Sequence, residues 1–289
     1  MKRFDRRKFL SYSALGLGAA ALASQKGLIN SAIAMSPSVG LPVGFQVWYI
    51  RKILNADFPG TLKMMAGLGY QSLEMCSPPG YEDSGFGPLM KYSAKEMKKI
   101  INDAGLICES SHYGMDELRK NLDERIKFAL ESGQKQMILS SFGLAENASL
   151  SDWLKAADEL NIIGEKVTKA GLLMGYHNHD MEFAKLEGTL LYDALMKQFN
   201  ADIIKMQFQV AVIRLGYKAT DYFKKYPGRF ISAHLADWSK AQNKQVPIGK
   251  GDVDWKEFFA SIKTAGIKNI FVEMELDICK DAPAYLHKL

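Results

Sequence analysis

An α/β chain closed into a single eight-stranded barrel is predicted by three observations. Over residues 35–289, strand-like apolar runs alternate eight times with stretches of helical periodicity. A joint of the form Ala-Gly-apolar recurs where helical stretches end. Polar residues gather at the ends of many strands, and no Gly-x-Gly-x-x-Gly follows the first strand to mark the crevice of an open sheet. Alternating βα units require a parallel sheet, and about 250 residues suits one (β/α)8 TIM barrel.

The strands are expected at Val43–Trp48, Gln71–Met75, Leu106–His112, Gln136–Ser141, Leu172–His177, Ile203–Val210, Phe230–Leu235 and Asn269–Glu275, each a short run rich in strand formers. The helices fall between them at Asp57–Met65, Ala94–Ala104, Asp116–Ser132, Leu150–Ala170, Thr189–Phe199, Thr220–Tyr226 and Trp255–Ala265, with a short last one near Ala282–Lys288. Ala66-Gly67-Leu68-Gly69-Tyr70, Ala104-Gly105-Leu106, Ser132-Gly133, Ala170-Gly171-Leu172 and Ala265-Gly266-Ile267 supply the joints, because glycine adopts the left-handed helix stop without strain.

The first residues stand apart. Lys2, Arg3, Arg6, Arg7 and Lys8 precede an apolar run from about Tyr12 to Ala23, and Ala32-Ile33-Ala34 offers a small-x-small cleavage site. The pattern Asp5-Arg6-Arg7-Lys8-Phe9-Leu10 resembles a twin-arginine signal, so residues 1–34 are expected to be an export signal and residues 35–289 the barrel of a periplasmic or exported protein. A retained membrane anchor is the alternative, although the apolar run is shorter than the ~20 residues that span a bilayer. The formal charge of +5 is carried by this leader, which holds six Lys/Arg against one Asp; without it, basic and acidic residues balance. A neutral body argues against a nucleic-acid partner. Cys76, Cys108 and Cys279 are odd in number and far apart, which implies no disulfide framework.

In a barrel of this kind function lives at the C-terminal strand ends. Read in order these carry Gln46 and Trp48, Glu74, His112, Ser140 and Ser141, His177 and His179, Gln207 and Gln209, His234, and Glu273 and Glu275. Four of the five histidines sit there. The stretch Gly171–Phe183 is the clearest case: an apolar run ends abruptly in His177-Asn178-His179-Asp180, and strand alternation puts His177 and His179 on one face.

At these residues the chain resembles the xylose-isomerase-like barrel superfamily, which includes sugar isomerases, epimerases, inosose dehydratases and endonuclease IV. The resemblance spans Pro42–Leu286 and rests on Gly-Tyr-His-Asn-His-Asp-Met-Glu-Phe (175–183), the segment Lys224–Asp237, Ile-Gly-Lys-Gly-Asp-Val-Asp-Trp (248–255) and Phe-Val-Glu-Met-Glu (271–275). It implies a divalent ion held at the ends of the fifth to eighth strands, on His177, Gln209, His234 and Glu273. Two positions depart from the family pattern. Gln209 stands where the family has Asp, which removes a charged ligand, and His177 stands where it has a carboxylate. The remaining two-histidine, one-carboxylate set suits Mn²⁺, Fe²⁺, Co²⁺ or Zn²⁺ better than Mg²⁺.

The resemblance implies proton removal next to a sugar carbonyl. Glu273 or Glu275 is the expected base, both on one strand face, with His179 a further acid–base candidate. Trp48 and Trp238 are expected to stack on sugar ahead of Tyr49 and Trp255, and Glu74, His112 and Gln207 to bind hydroxyls, with a structural role the equal alternative for Glu74 and His112. Lys250, in the glycine loop Gly249-Lys250-Gly251, is an anion-binding candidate whose alternative is a tight turn before the helix cap Asp254. With one family carboxylate missing, a lyase or dehydratase acting on a keto-sugar stands close behind an isomerase or epimerase. An exported barrel that binds carbohydrate without turnover is the third reading. The expected partner is a small carbohydrate, with no nucleic acid, no membrane once the signal is removed, and a homodimer as the expected assembly.

Overall fold

The computed structural model describes residues 40–289, so the expected export signal lies outside the described residues. Eight strands form the barrel: β1 (Val43–Gln46), β2 (Ser72–Cys76), β3 (Ile107–Gly114), β4 (Gln136–Ser141), β5 (Leu173–His177), β6 (Ile204–Gln209), β7 (Phe230–Leu235) and β8 (Asn269–Val272). All neighbours pair in parallel, and β1 closes the ring against β8 and β2. The predicted fold class is therefore the observed one.

One main helix follows each strand, with short additional ones at Arg51–Ala56 and Leu276–Cys279: α1 (Phe58–Gly67), α2 (Ala94–Asp103), α3 (Met115–Ser132), α4 (Leu150–Lys169), α5 (Leu191–Gln198), α6 (Ala219–Lys225), α7 (Trp255–Ala265) and α8 (Ala282–Leu286). Local chemistry starts them. Asp57, Ser93, Ser149 and Asp254 each accept a backbone N–H of the first turn, and Ser93 with Glu96 and Ser149 with Asp152 complete reciprocal capping boxes. Left-handed glycines end them: Gly69, Gly105, Gly133, Gly171 and Gly266 all have φ between +80° and +97°. In the first joint this role falls on Gly69 rather than Gly67.

The core lies inside the ring and between ring and helices. Met174, Ile204, Phe271 and Leu235 fill it from the strands, and Leu160, Phe223 and Phe258 from the helices, each worth roughly 1.5–3 kcal/mol when fully buried. At Gly175 in β5 a Cβ would stand 2.5 Å from Ile138 Cδ1, so a larger residue there would need the end of that side chain to move. Strand register then brings polar residues to one end of the ring: Gln46 lies opposite Glu74, Cys76 opposite His112, and Gln209 opposite His234.

Two boundaries differ from expectation in ways that matter. β1 stops at Gln46, whose side chain accepts the Trp48 N–H, and the chain turns at once, so Trp48 sits on a loop. β8 stops at Val272, which corrects the expectation that Glu273 and Glu275 share a strand face; Glu275 instead precedes a short helix, Leu276–Cys279, and is exposed. Two small hairpins rise from the same end of the ring, one joining Lys185–Leu186 to Thr189–Leu190 and one joining Asp237–Ser239 to Lys244–Val246. Cys76, Cys108 and Cys279 are free thiols. No helix among the described residues is long and apolar enough to cross a membrane.

Candidate active site

Glu74 in the middle of β2 is wholly buried and accepts four side-chain donors. Ser110 Oγ (2.6 Å) and Gln207 Nε2 (2.7 Å) reach Oε1, while His234 Nε2 (2.5 Å) and His112 Nε2 (3.1 Å) face Oε2. Gln207 also donates to Ser232 Oγ at 2.9 Å, and its carbonyl oxygen lies 2.7 Å from His112 Nε2. That nitrogen therefore has two acceptors and carries a proton.

His234 connects this floor to the cavity above. Its other nitrogen, Nδ1, lies 3.0 Å from Glu273 Oε2, which also accepts Gln209 Nε2 at 2.6 Å. Both bonds to Glu273 fall on Oε2, so Oε1 has no partner among the described residues. Burial opposes charge on all three groups, but they offset one another. Burial alone would lower the His234 pKa; the Glu273 and Glu74 carboxylates outweigh it and push it up to about 10. Burial raises Glu74, yet the imidazoles of His112 and His234 hold it well below the usual carboxylate range, and His234 likewise lowers Glu273. The result is a chain of carboxylate, imidazolium and carboxylate.

His177, beside it, is the opposite case. Burial drives its pKa well down, the rings of His234, His179 and His112 add to this, and its Nδ1 is buried with no partner. Its ring centroid is 4.3 Å from that of His234 and 5.1 Å from that of His112. These three buried imidazoles offer ligand atoms all within 4.8 Å of one another, a group that could hold a metal ion. The neutral, unpartnered His177 nitrogen fits a borderline divalent cation as it stands, whereas His234 would have to release a proton to join it.

Above this floor opens a cavity of about 890 Å³ at the C-terminal mouth of the barrel. Of the residues expected at the site, Trp48, His179, Gln209, Trp238 and Glu273 line it. His177, His234, Glu74, His112 and Gln207 do not: they lie beneath it, turned toward the barrel axis and toward each other, so the expectation that the last three bind hydroxyls directly is corrected to a supporting role. His179 Nδ1 is buried without a partner, burial lowers its pKa, and its backbone N–H is held by Glu182 Oε2 at 2.8 Å. Gln209 turns its amide nitrogen to Glu273 and its oxygen to the Ala211 N–H (3.2 Å), away from the role of an oxygen ligand. Glu275 and Lys250 are not among the lining residues.

The glycine loop has its own explanation. The backbone N–H groups of Gly249, Gly251 and Val253 all point at the buried Asp237 carboxylate, which also takes the Trp255 Nε1–H at 2.9 Å. The loop wraps a carboxylate of this chain and is not open to an anion. Sequence reasoning gave no role to Asp237, nor to Met181, Arg214 and Leu215, which stand in the cavity wall with Tyr49 and Asp180. Glu182, the acid of the 175–183 motif, is buried, and its other oxygen accepts the Tyr176 hydroxyl at 2.5 Å. The signal for Glu182 was present, since an acidic residue three positions after His179 has the spacing of a side chain reaching back to a backbone N–H.

A parallel barrel of eight βα units with histidines and acids gathered at one mouth defines the class of protein, and comparison with known families specifies it. Residues 62–287 match the xylose isomerase-like TIM barrel family, and the chain belongs to it. It is similar to a sugar phosphate isomerase/epimerase from Parabacteroides distasonis, at 26% identity over 85% of this chain and 93% of that one, with a TM-score of 0.71. A probable 3-DHS dehydratase from Bacillus anthracis (11% identity, 86% and 98% coverage, TM-score 0.66) shares the fold. So does a D-psicose 3-epimerase from Clostridium cellulolyticum (13% identity, 85% and 89% coverage, TM-score 0.60). None of the curated proteins matches the chain.

Proposed function

We propose that this protein is a sugar isomerase- or epimerase-like enzyme that removes a proton next to a sugar carbonyl. The observation that carries the reading is Glu273: an ionised carboxylate in the wall of a carbohydrate-sized cavity, oriented by His234 and Gln209 through one oxygen while the other is unpartnered. In such a site Glu273 Oε1 takes the proton, the electron pair of the C–H bond moves onto the carbonyl oxygen, and an enediolate forms. The proton then returns from Glu273 to the neighbouring carbon. His234, held between two carboxylates, keeps Glu273 charged in the resting state and steadies it after protonation. His179 Nδ1 is placed to exchange a proton with a substrate oxygen.

His177 and His234, with Glu273 as the carboxylate, would hold the divalent ion that the family implies, provided His234 gives up the proton on Nδ1 as the ion binds. When bound it would polarise the substrate's carbonyl and hydroxyl oxygens and so stabilise the enediolate. Mn²⁺, Fe²⁺, Co²⁺ and Zn²⁺ suit this nitrogen-rich set better than Mg²⁺. Metal analysis after loading should find one ion per chain, and His177→Ala should lose it.

The test of the reaction is hydrogen exchange. Incubated in D₂O with a panel of ketoses and oxidised sugars, the enzyme should place deuterium next to the carbonyl of at least one of them, and Glu273→Gln should not. A panel that shows neither exchange nor product by mass would remove the enzymatic reading and leave a carbohydrate-binding barrel. A second reaction is favoured by one feature: His177 replaces a family carboxylate and lies beneath the cavity, so a single oriented base faces the substrate. One base suffices for elimination, and a lyase would release a leaving group where an isomerase would not. We also propose that residues 1–34 direct export, which fusion of that segment to a periplasm-dependent reporter would test.

A further inference from the structure

The cavity wall combines two chemistries. Glu273, Gln209 and His179 are polar, and large apolar side chains stand in the same wall beside the Arg214–Asp180 pair. Tyr49, Met181 and Leu215, which are 37%, 51% and 46% exposed, are large hydrophobic side chains left in contact with water, and all three stand in the wall of this one cavity. Scattered exposed hydrophobics need no explanation, but three around one mouth do. Trp48 and Trp238 stand in the same wall.

The charges are equally specific. Arg214 is the one Lys or Arg among the described residues lining the cavity, and it is already committed: its guanidinium pairs with Asp180 and lies 5.9 Å from the centre of the Trp238 ring. The remaining charge in the wall is the carboxylate of Glu273. A phosphate or carboxylate group on the substrate would have to break the Arg214–Asp180 pair and approach that negative charge. The glycine loop cannot help, because its N–H groups are turned to Asp237. At about 890 Å³ the cavity also stands near the top of the ~300–1,000 Å³ range that encloses drug-sized ligands, with room for more than one sugar ring.

We infer that the substrate is an uncharged keto-glycoside, oxidised at a ring carbon so that a carbonyl is present although the anomeric carbon is an acetal, whose sugar reaches Glu273 and whose apolar or aromatic aglycone lies against Tyr49, Met181 and Leu215; unoxidised glycosides are its binding analogues. The inference rests on the sugar-enzyme reading above and narrows it: neither a free monosaccharide nor a phosphorylated sugar uses the mouth. It accommodates isomerisation within the sugar or elimination of the aglycone alike.

Binding separates this inference from the reaction. Isothermal titration of the Mn²⁺-loaded protein would compare methyl and 4-nitrophenyl glycosides, both anomers, of glucose, galactose, mannose and xylose, together with glucose 6-phosphate. For the sugar that fits, the aryl glycoside should bind about tenfold or more tightly than the methyl one, a difference of about 1.4 kcal/mol, and glucose 6-phosphate should be the weakest. Met181→Gln with Leu215→Gln, both on the exposed rim, should lower the ratio of aryl to methyl affinity toward one. Equal binding of aryl and methyl compounds, preference for the phosphate, or no binding of any glycoside would overturn the inference. A rim variant that alters oligomeric state without altering aryl binding would also overturn it, since the patch would then be a protein interface. If ketoses still exchange deuterium while aryl glycosides fail to bind, only this inference falls; if exchange is absent as well, the enzymatic reading falls with it.

Discussion

Two buried acidic centres stand at this mouth of the barrel and are satisfied in opposite ways. Asp237, just past β7, is held by the backbone N–H groups of Trp238, Gly249, Gly251 and Val253 and by an indole N–H. Glu74 and Glu273 are held by imidazole, amide and hydroxyl groups of side chains. Backbone and indole donors are neutral, fixed in place and do not exchange protons at ordinary pH, so they stabilise a charge and do nothing else with it. Imidazoles can pass a proton on, and they reach the cavity through Glu273. Burial of a carboxylate therefore does not mark chemistry; the identity of its partners does.

The strongest way to break this comparison is to neutralise one acid at each centre. Glu273→Gln should lower turnover or deuterium exchange by about 10³-fold, in the range of general-base losses, while shifting the melting temperature by only a few degrees. Asp237→Ala should do the reverse. It strands several buried N–H groups, costs about 3 kcal/mol, and should lower the melting temperature by roughly 6–12 °C while the folded fraction keeps exchange within about threefold. Thermal melts and exchange rates on both proteins decide it. If Asp237→Ala loses activity without losing stability, the loop is part of the reacting site and the contrast fails.

How much of this could be read from residue order follows the same division. Period and punctuation revealed the barrel, because alternating apolar runs, capping acids and left-handed glycines are local signals, and β4, β7 and α7 match their expected boundaries to the residue. That His234 meets Glu74 across 160 positions, and Glu273 across 39, follows from ring closure and has no local signature. His177 and His234 were identifiable as strand-end residues, but not that they lie under the cavity. The rim residues Met181 and Leu215 were invisible for a plainer reason: on loops, a hydrophobic side chain carries no periodicity to say which way it faces.

Glu117 sharpens the comparison with an intermediate case. Its carboxylate accepts Ser77 Oγ (2.7 Å) and the Gly114 N–H (2.9 Å), but its nearest cation, Arg125, stands 4.0 Å away, and burial outweighs them all and raises its pKa. A carboxyl whose pKa is raised in the fold contributes stability that is present below its ordinary value near 4.5 and is lost as pH climbs through the folded value. Glu117→Gln keeps both hydrogen bonds without the buried charge. Around pH 7 it should therefore be more stable than the parent, by up to about 1 kcal/mol, and the advantage should shrink toward pH 4. Melting curves between pH 4 and 8 check this; a constant difference would mean that the charge is better compensated than its partners indicate.

The smallest effect is expected at Lys250, and it tests the loop from outside. This side chain is exposed, the loop beneath it is organised by Asp237, and its own backbone N–H is bonded to the Pro247 carbonyl, none of which depends on the ammonium group. Lys250→Ala should leave stability within about 0.5 kcal/mol, as for a surface substitution away from any special feature. Substrate affinity should stay within about twofold, because a site that prefers uncharged glycosides has no use for a cation at its edge. A tenfold loss of affinity, measured by titration with the same glycosides, would place the ammonium group over the cavity and return the loop to the role of anion binding.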